Sequence, residues 1–542
     1  MTTNLAHPFY NHARRAPERL ALSVNQREFT YGELAELSER IAAWLQSRRD
    51  EVKPDEKKET KLVGIMASRS WPAYAGILGT AWAGAAYVPL NPDWPERRLL
   101  SILETIDLDI LIVDERGLKL LTPAVLRGKK HILAPGNPKS ASPISGFDAL
   151  PPHDPHHAPR ARAPGVGDND LAYVMFTSGT TGTPKGVMVT TGNVCAFLTA
   201  MQSVIAQSNT TQSNTTQSNA PSLCAEDRVS QTYDLTFDPS VMDMFMTWSA
   251  GASLHVVPAS QMLGPSRFIR DHQLTCWFSV PSTIAFMRDL KMLTPAAFPS
   301  LRYSIFCGEP LPASSAELWR QAAPNSRIDN LYGPTEATVV CIGQTYGEPD
   351  SVTESRGTVA TGKPFCGMSA AILSDSLEFL TPGEKGQLAL SGPQLANGYF
   401  KDPPKTAERF PTIDGQVWYL TGDLAYQDAD GRFHHLGRID NQVKVLGNRV
   451  EMEDVEAHLR AVCGVDSVSA VPWPIANGAA GGIVAFVAGS ALDSGGIREK
   501  MRARVPRYMV PTEIRFLPRL PVSVAGKTDR KALSAMLAEG SA

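Results

Sequence analysis

Cysteine is scarce and unpaired in this chain. Cys195, Cys224, Cys276, Cys307, Cys341, Cys366 and Cys463 are scattered over 542 positions, and no two form a C-x-x-C pair. That pattern argues against a disulfide framework and against a structural zinc site. An excess of either charge is also lacking: 52 Lys and Arg face 55 Asp and Glu, for a net charge of -3. The broad electrostatic footprint of a nucleic-acid or anionic-membrane binder is therefore missing, and neither partner is expected. Strongly hydrophobic runs are absent too. The stretch 71–90 is uncharged and long enough to span a membrane, but it is rich in Ala and Gly and contains Pro72 and Pro89. It reads as a buried helix over 73–83 running into a buried strand. The first residues hold no apolar run of signal-peptide length before charges appear, so a cytoplasmic protein is expected. At 43% hydrophobic residues, the chain can still bury a sizeable core.

Strand and helix patterns alternate early in the chain. Leu34, Leu37, Ile41, Trp44 and Leu45 fall at helical spacing within 33–48 and make one apolar face. Short apolar runs at 62–67, 109–113 and 171–176 read as buried strands, which implies parallel βαβ construction. Three segments read as loops or inserts: the charged stretch 51–61, the Pro-, Gly-, Asp- and His-rich stretch 136–170, and 207–219. The last holds two copies of Gln-Ser-Asn-Thr-Thr and a truncated third, too polar to offset its own ordering entropy. His153, His156 and His157 lack a second ligand cluster at metal-binding spacing. A polar run at 437–441 marks a boundary near Asp440, and the segment after it is long enough for a small domain.

The most informative segment is Thr-Ser-Gly-Thr-Thr-Gly-Thr-Pro-Lys-Gly at 177–186, directly after an apolar run. A loop of small hydroxylated residues can gather N–H groups and hydroxyls around a phosphate, and Lys185 adds positive charge. It is not a Walker A loop, because Pro184 stands where that motif's last Gly belongs. The loop resembles the signature of the adenylate-forming superfamily: acyl-CoA synthetases, firefly-type luciferases and the adenylation domains of non-ribosomal peptide synthetases. Further motifs follow the order of that superfamily at 30–34, 84–90, 237–240, 332–336, 386–400, 419–423, 437–440 and 526–531.

The resemblance implies an α/β fold. A large N-terminal domain of packed βαβ sheets, 1–439, would bind ATP and substrate, and a small mobile α+β domain, 440–542, would carry the catalytic lysine. It implies an ATP site made of Thr177, Ser178, Gly179, Thr180, Thr181, Gly182, Gly308, Glu309, Pro310, Asn330, Tyr332, Gly333, Thr335, Asp423, Arg438 and Lys527. Within it Tyr332 would stack on adenine, Asn330 read its edge, Thr335 meet the phosphates and Asp423 take the ribose hydroxyls. Glu336 would hold Mg²⁺, and Lys185, Glu336 and Lys527 would be catalytic. Asp440 resembles the hinge about which the small domain turns before thioester formation. Near it, Leu446 and Asn448 depart from the family's usual Arg and aromatic or His.

Asp238 occupies the position at which amino-acid-activating members pair the substrate ammonium; a helix N-cap before Pro239 is the structural alternative. Matching motifs adds Pro239, Met242, Ser279, Ile305, Cys307, Leu331, Val339 and Val340 to the pocket, none of them charged. A small aliphatic amino acid, alanine foremost, is expected, and the surrounding segments look especially like D-alanine–carrier-protein ligases. Eleven residues follow Lys531, so a free-standing ligase is expected, serving the phosphopantetheine thiol of a separate carrier protein, with a monomer as the family default. An acyl- or aryl-CoA synthetase and a catalytically silent scaffold are the alternatives; Asp238 speaks against the first and the intact motifs against the second.

Overall fold

The computed structural model describes residues 4–50, 62–129, 131–136, 148–150, 166–177, 184–207, 223–262, 264–348, 351–439, 442–476, 479–521 and 528–540. Residues 208–219 of the repeat at 207–219, the charged stretch 51–61, the three histidines, the loop residues 178–183, Asp440 and Lys527 lie outside them, whereas Gln207 ends the helix Thr191–Gln207.

Apolar runs expected as strands are strands: Leu62–Met66, Ile110–Val113 and Leu171–Thr177. With His131–Ala134, Ala86–Pro89, Lys185–Thr190 and the short edge strand Asp148–Ala149 they form a seven-stranded sheet among the described residues. It is parallel except for the hairpin of Leu171–Thr177 with Lys185–Thr190. The edge strand corrects the reading of 136–170 as loop throughout. Asp148 is held there by Trp44 Nε1 and Arg48 Nη2, each at 2.8 Å, partners no local pattern shows. The uncharged stretch 71–90 is a helix, Trp71–Trp82, followed by the buried strand Ala86–Pro89. Pro72 suits the helix start, where its missing N–H costs no bond. No described helix is long and apolar enough to cross a membrane.

The helix Tyr31–Asp50 begins with a reciprocal cap that explains the Thr-Tyr-Gly-Glu motif. Thr30 N donates to Glu33 Oε2 at 2.8 Å, and Glu33 N donates to Thr30 Oγ1 at 3.2 Å.

A second sheet of nine strands is parallel at its centre, through Ser253–Val256, Arg228–Gln231, Cys276–Ser279, Tyr303–Cys307 and Arg327–Tyr332. Its outer strands are antiparallel. One continuous hydrophobic cluster joins both large sheets to the four-stranded antiparallel sheet that carries Tyr419–Gln427 and Phe433–Arg438. From Gln442 onward, among the described residues, the strands pair only with one another. They form two further clusters, spanning 445–514 and 471–537, that contain no earlier residue. The fold is thus a large α/β domain followed by a smaller C-terminal part with a core of its own.

Candidate active site

A cavity of about 780 Å³ lies where the carboxyl ends of the central strands of the nine-stranded sheet meet the C-terminal part. Open α/β sheets bind ligands in such crevices. Thr177, Gly308, Glu309, Pro310, Asn330, Tyr332, Gly333, Thr335, Asp423 and Arg438 all line it. Ser178, Gly179, Thr180, Thr181, Gly182 and Lys527 belong to the undescribed residues. Gly333 is required by packing: a Cβ there would lie 2.5 Å from Val340 Cα.

Asp423 is the electrostatic centre of one wall. It accepts hydrogen bonds from Arg438 Nη1 at 3.0 Å, from Tyr332 OH and from His435, whose Nε2 lies 3.2 Å away. Burial alone would raise its pKa, but the Arg438 guanidinium, with His435 and Tyr332, holds the carboxyl well below the usual range. The carboxylate stays ionised and can accept from a vicinal diol. Asn330 is tied by its amide nitrogen to Val359 O at 3.3 Å and Ala360 O at 2.9 Å. Its donors thus brace the cavity wall, and its oxygen remains as the acceptor.

Glu336 is only 1% exposed and does not itself line the cavity. Its Oε1 accepts from Tyr399 OH at 2.8 Å and its Oε2 from Arg449 Nη1 at 2.7 Å. Burial works against the charge, yet Arg449 and Tyr399 bring the pKa below its ordinary value. Lys185 stands nearby, its ammonium 6.0 Å from the Tyr399 ring centre, with a pKa lowered by burial. An ionised, buried carboxylate fits Mg²⁺, which is held through one or two carboxylates and completes its shell from phosphate oxygens and water. Among the described residues no three His, Cys, Asp or Glu side chains converge, so the remaining ligands would come from nucleotide and solvent.

Asp238 stands at the N-cap of the helix Pro239–Ser249, but its side chain does not cap that helix. Its Oδ2 instead accepts from Val339 N at 3.0 Å. Burial pushes its pKa up to about 6, against the pull of the Val339 N–H and of Lys444. Around it Pro239, Ser279, Cys307, Leu331, Val339 and Val340 line the cavity. Met242 and Ile305 do not: they are 0% and 1% exposed and pack in the core behind the lining. Their motif positions put them among the pocket residues, but both pack in the core and neither lines the cavity.

A further lining residue is Tyr233, whose hydroxyl lies 3.1 Å from Cys307 Sγ. Burial pushes the Cys307 thiol up to about 12, so it lines the pocket as a neutral thiol and not as a nucleophile. Ser279 Oγ is occupied by Trp277 Nε1 at 2.9 Å.

The C-terminal part enters the cavity by a hairpin, Gln442–Val445 with Asn448–Glu451. Leu446 and Gly447 have φ of 49° and 80°, the left-handed pair that a two-residue type I′ turn requires. Gly447 sits against Val280, where a Cβ would approach Val280 Cγ1 to 2.7 Å. Lys444 and Arg449 of this hairpin line the cavity. Tyr233, Tyr399, His435, Lys444 and Arg449 are site residues that the motif reading did not single out. Lys444 and Arg449 share their strands with Gln442, Asn448 and Glu451, so nothing in the local pattern sets them apart.

A model of the AMP-binding enzyme family matches residues 9–400. Tyrocidine synthase 3 from Brevibacillus parabrevis is 32% identical over 97% of this chain, and bacitracin synthase 3 from Bacillus licheniformis is 31% identical over 97%. The chain spans only 7% and 8% of those two proteins. Among solved structures, the Vibrio cholerae adenylation domain AlmE in complex with glycyl-adenosine-5'-phosphate is similar at a TM-score of 0.86 and 30% identity. That likeness covers 99% of this chain and 98% of AlmE.

Proposed function

This chain belongs to the AMP-binding enzyme family, and from that premise we propose that it activates a small aliphatic amino acid with ATP. The aminoacyl-AMP so formed passes its acyl group to the phosphopantetheine thiol of a separate carrier protein. The observation that carries the reading is Asp238. Its carboxylate is 6% exposed, fixed by Val339 N–H and free of any capping duty, beside a pocket lined by Pro239, Leu331, Val339 and Val340. A buried carboxylate is what a substrate ammonium needs, and these four uncharged side chains beside it offer no partner for a charged substrate side chain. Alanine is the foremost candidate. The glycyl adenylate held by AlmE supports a substrate of similar size.

In this reading the substrate ammonium pairs with Asp238 and the α-carboxylate points towards Thr335 and the loop after Thr177. Tyr332 packs against adenine, and Asp423, kept ionised by Arg438, orients the ribose. Mg²⁺, when bound at Glu336, would offset the charge of the departing pyrophosphate. Catalysis is then mostly alignment for in-line attack and charge stabilisation. Lys527 bridges the attacking carboxylate and the α-phosphate. The part from 440 onward then turns about Asp440, exchanging Lys527 for the hairpin and opening the cavity to the carrier's thiol.

The test is Asp238→Asn. It should raise the KM for the amino acid by roughly a hundredfold or more, since an unpaired buried ion costs about 3–5 kcal/mol. The KM for ATP should change by less than about threefold. Equal effects on both substrates would remove the ammonium site from the account.

A further inference from the structure

Three strands lie side by side in the nine-stranded sheet: Arg228–Gln231, Cys276–Ser279 in the middle, and Tyr303–Cys307. Tyr233 stands just beyond the end of the first, and Cys307 ends the third. The Tyr233 hydroxyl nevertheless lies 3.1 Å from Cys307 Sγ. Neighbouring strands are about 4.8 Å apart, so the phenol must lie across the carboxyl end of the middle strand to make that contact. Tyr233, Cys307 and Ser279 of the middle strand all line the cavity. The ring is thus a bar across one part of its wall.

The backbone that carries the bar is fixed from several sides. Thr232 N donates to Asp243 Oδ2 at 3.4 Å, and the Tyr233 N–H donates to the same carboxyl group. Thr232 Oγ1 donates to Phe278 O at 2.6 Å, and Gln231 Nε2 donates to Tyr233 O. Gln231 is held in turn by Tyr74 OH, 2.9 Å from its Oε1. Gln231, Thr232 and Asp243 are all buried. A ring fixed at its base and tied at its hydroxyl yields little to an incoming group, because a packed interior has few voids to receive it.

We propose that Tyr233 sets the length limit of the substrate side chain. An amino acid whose ammonium sits on Asp238 would extend its side chain among Cys307, Leu331 and Tyr233, and the phenol occupies the space that a longer chain requires. The inference rests on the proposed activation of a small amino acid and deepens it. Asp238 supplies the ammonium site, and Tyr233 supplies the end stop.

The experiment is amino-acid-dependent ATP–pyrophosphate exchange with the full chain. The readout is kcat/KM for leucine over kcat/KM for alanine, both in the configuration that the wild type prefers. One methylene more or less in a pocket changes such a ratio by about 10–200-fold, so Tyr233→Ala should raise it by at least about tenfold. Tyr233→Leu stays apolar but cannot reach Cys307, and it gives the same comparison should the alanine variant fail to fold. Tyr233→Phe keeps the ring and loses only the hydroxyl, so its ratio should stay within about threefold of wild type. General damage lowers exchange with both amino acids and leaves their ratio where it was. An unmoved ratio in the folded Ala or Leu variant would overturn the end stop, as would a tenfold shift in the Phe variant. Absence of alanine-dependent exchange in the wild type would sink the proposed function and this inference with it. Alanine-dependent exchange with an unmoved ratio sinks only the role of Tyr233.

Discussion

Asp238 shows how burial can tune a binding group. The carboxyl is buried and its pKa is pushed up to about 6, with only the Val339 N–H, Lys444 and Thr335 favouring the charged form. An incoming ammonium needs that carboxylate ionised. As pH falls through about 6 Asp238 takes up a proton, the ammonium loses its partner and the KM for the amino acid should rise. Above that value KM should level off. Asp423 behaves oppositely: Arg438 holds its pKa far below this range, so the KM for ATP should stay flat over the same interval. Exchange kinetics between pH 5 and 8 check both, and a parallel rise of the two KM values would contradict the assignment. Motif positions point to Asp238, Cys307, Leu331 and Val339, and all four line the cavity. Tyr233 was not legible, because its contact to Cys307 spans 74 positions and nothing in its own segment announces it. Met242 and Ile305 show the converse limit, since both hold motif positions yet pack in the core.

In the proposed reading the hairpin 442–451 is the element on which the second half of the chemistry turns. Its type I′ turn places Leu446 and Gly447 in the left-handed region, a conformation that costs a non-glycine residue about 1–2 kcal/mol. Gly447→Ala adds that strain to a contact of 2.7 Å with Val280. Amino-acid-dependent pyrophosphate exchange should persist within about twofold, while aminoacyl transfer to a carrier thiol falls by about tenfold or more. Transfer and exchange assayed on one preparation decide it, and an equal loss in both would place the hairpin in the first step as well. The strands were readable because a buried apolar run is a local signal, even though their pairing, such as Val63 with Ile110, is not; the Thr30–Glu33 cap joins residues three positions apart. The seating of this hairpin was not readable, since Arg449 meets Glu336 across 113 positions. The edge strand Asp148–Ala149 escaped for a related reason, its anchors Trp44 and Arg48 lying 104 and 100 positions away.

At the scale of the molecule, two bodies with separate cores share one cavity. Such an arrangement lets the smaller part exchange faces without unfolding either core. Composition and alternation made the α/β class legible, and the ordered motifs made the superfamily legible. Which face of the C-terminal part meets the cavity depends on contacts between the bodies, which no local pattern encodes. If the two faces divide the work, Lys527→Ala should lower adenylate formation by at least about a hundredfold. Transfer from a chemically prepared aminoacyl adenylate to carrier thiol should remain near wild type in that variant. Product analysis by mass spectrometry checks the split, and loss of both activities would contradict the division.

The central claim is the activation of a small amino acid, and ATP–pyrophosphate exchange with a panel of acids tests it most directly. The panel holds glycine, both alanine enantiomers, β-alanine, serine, valine, phenylalanine, and several fatty and aryl acids. Exchange confined to small amino acids, strongest with alanine, is the predicted result. Exchange with only fatty or aryl acids would contradict it, leaving the adenylating fold in place and removing Asp238 as an ammonium site.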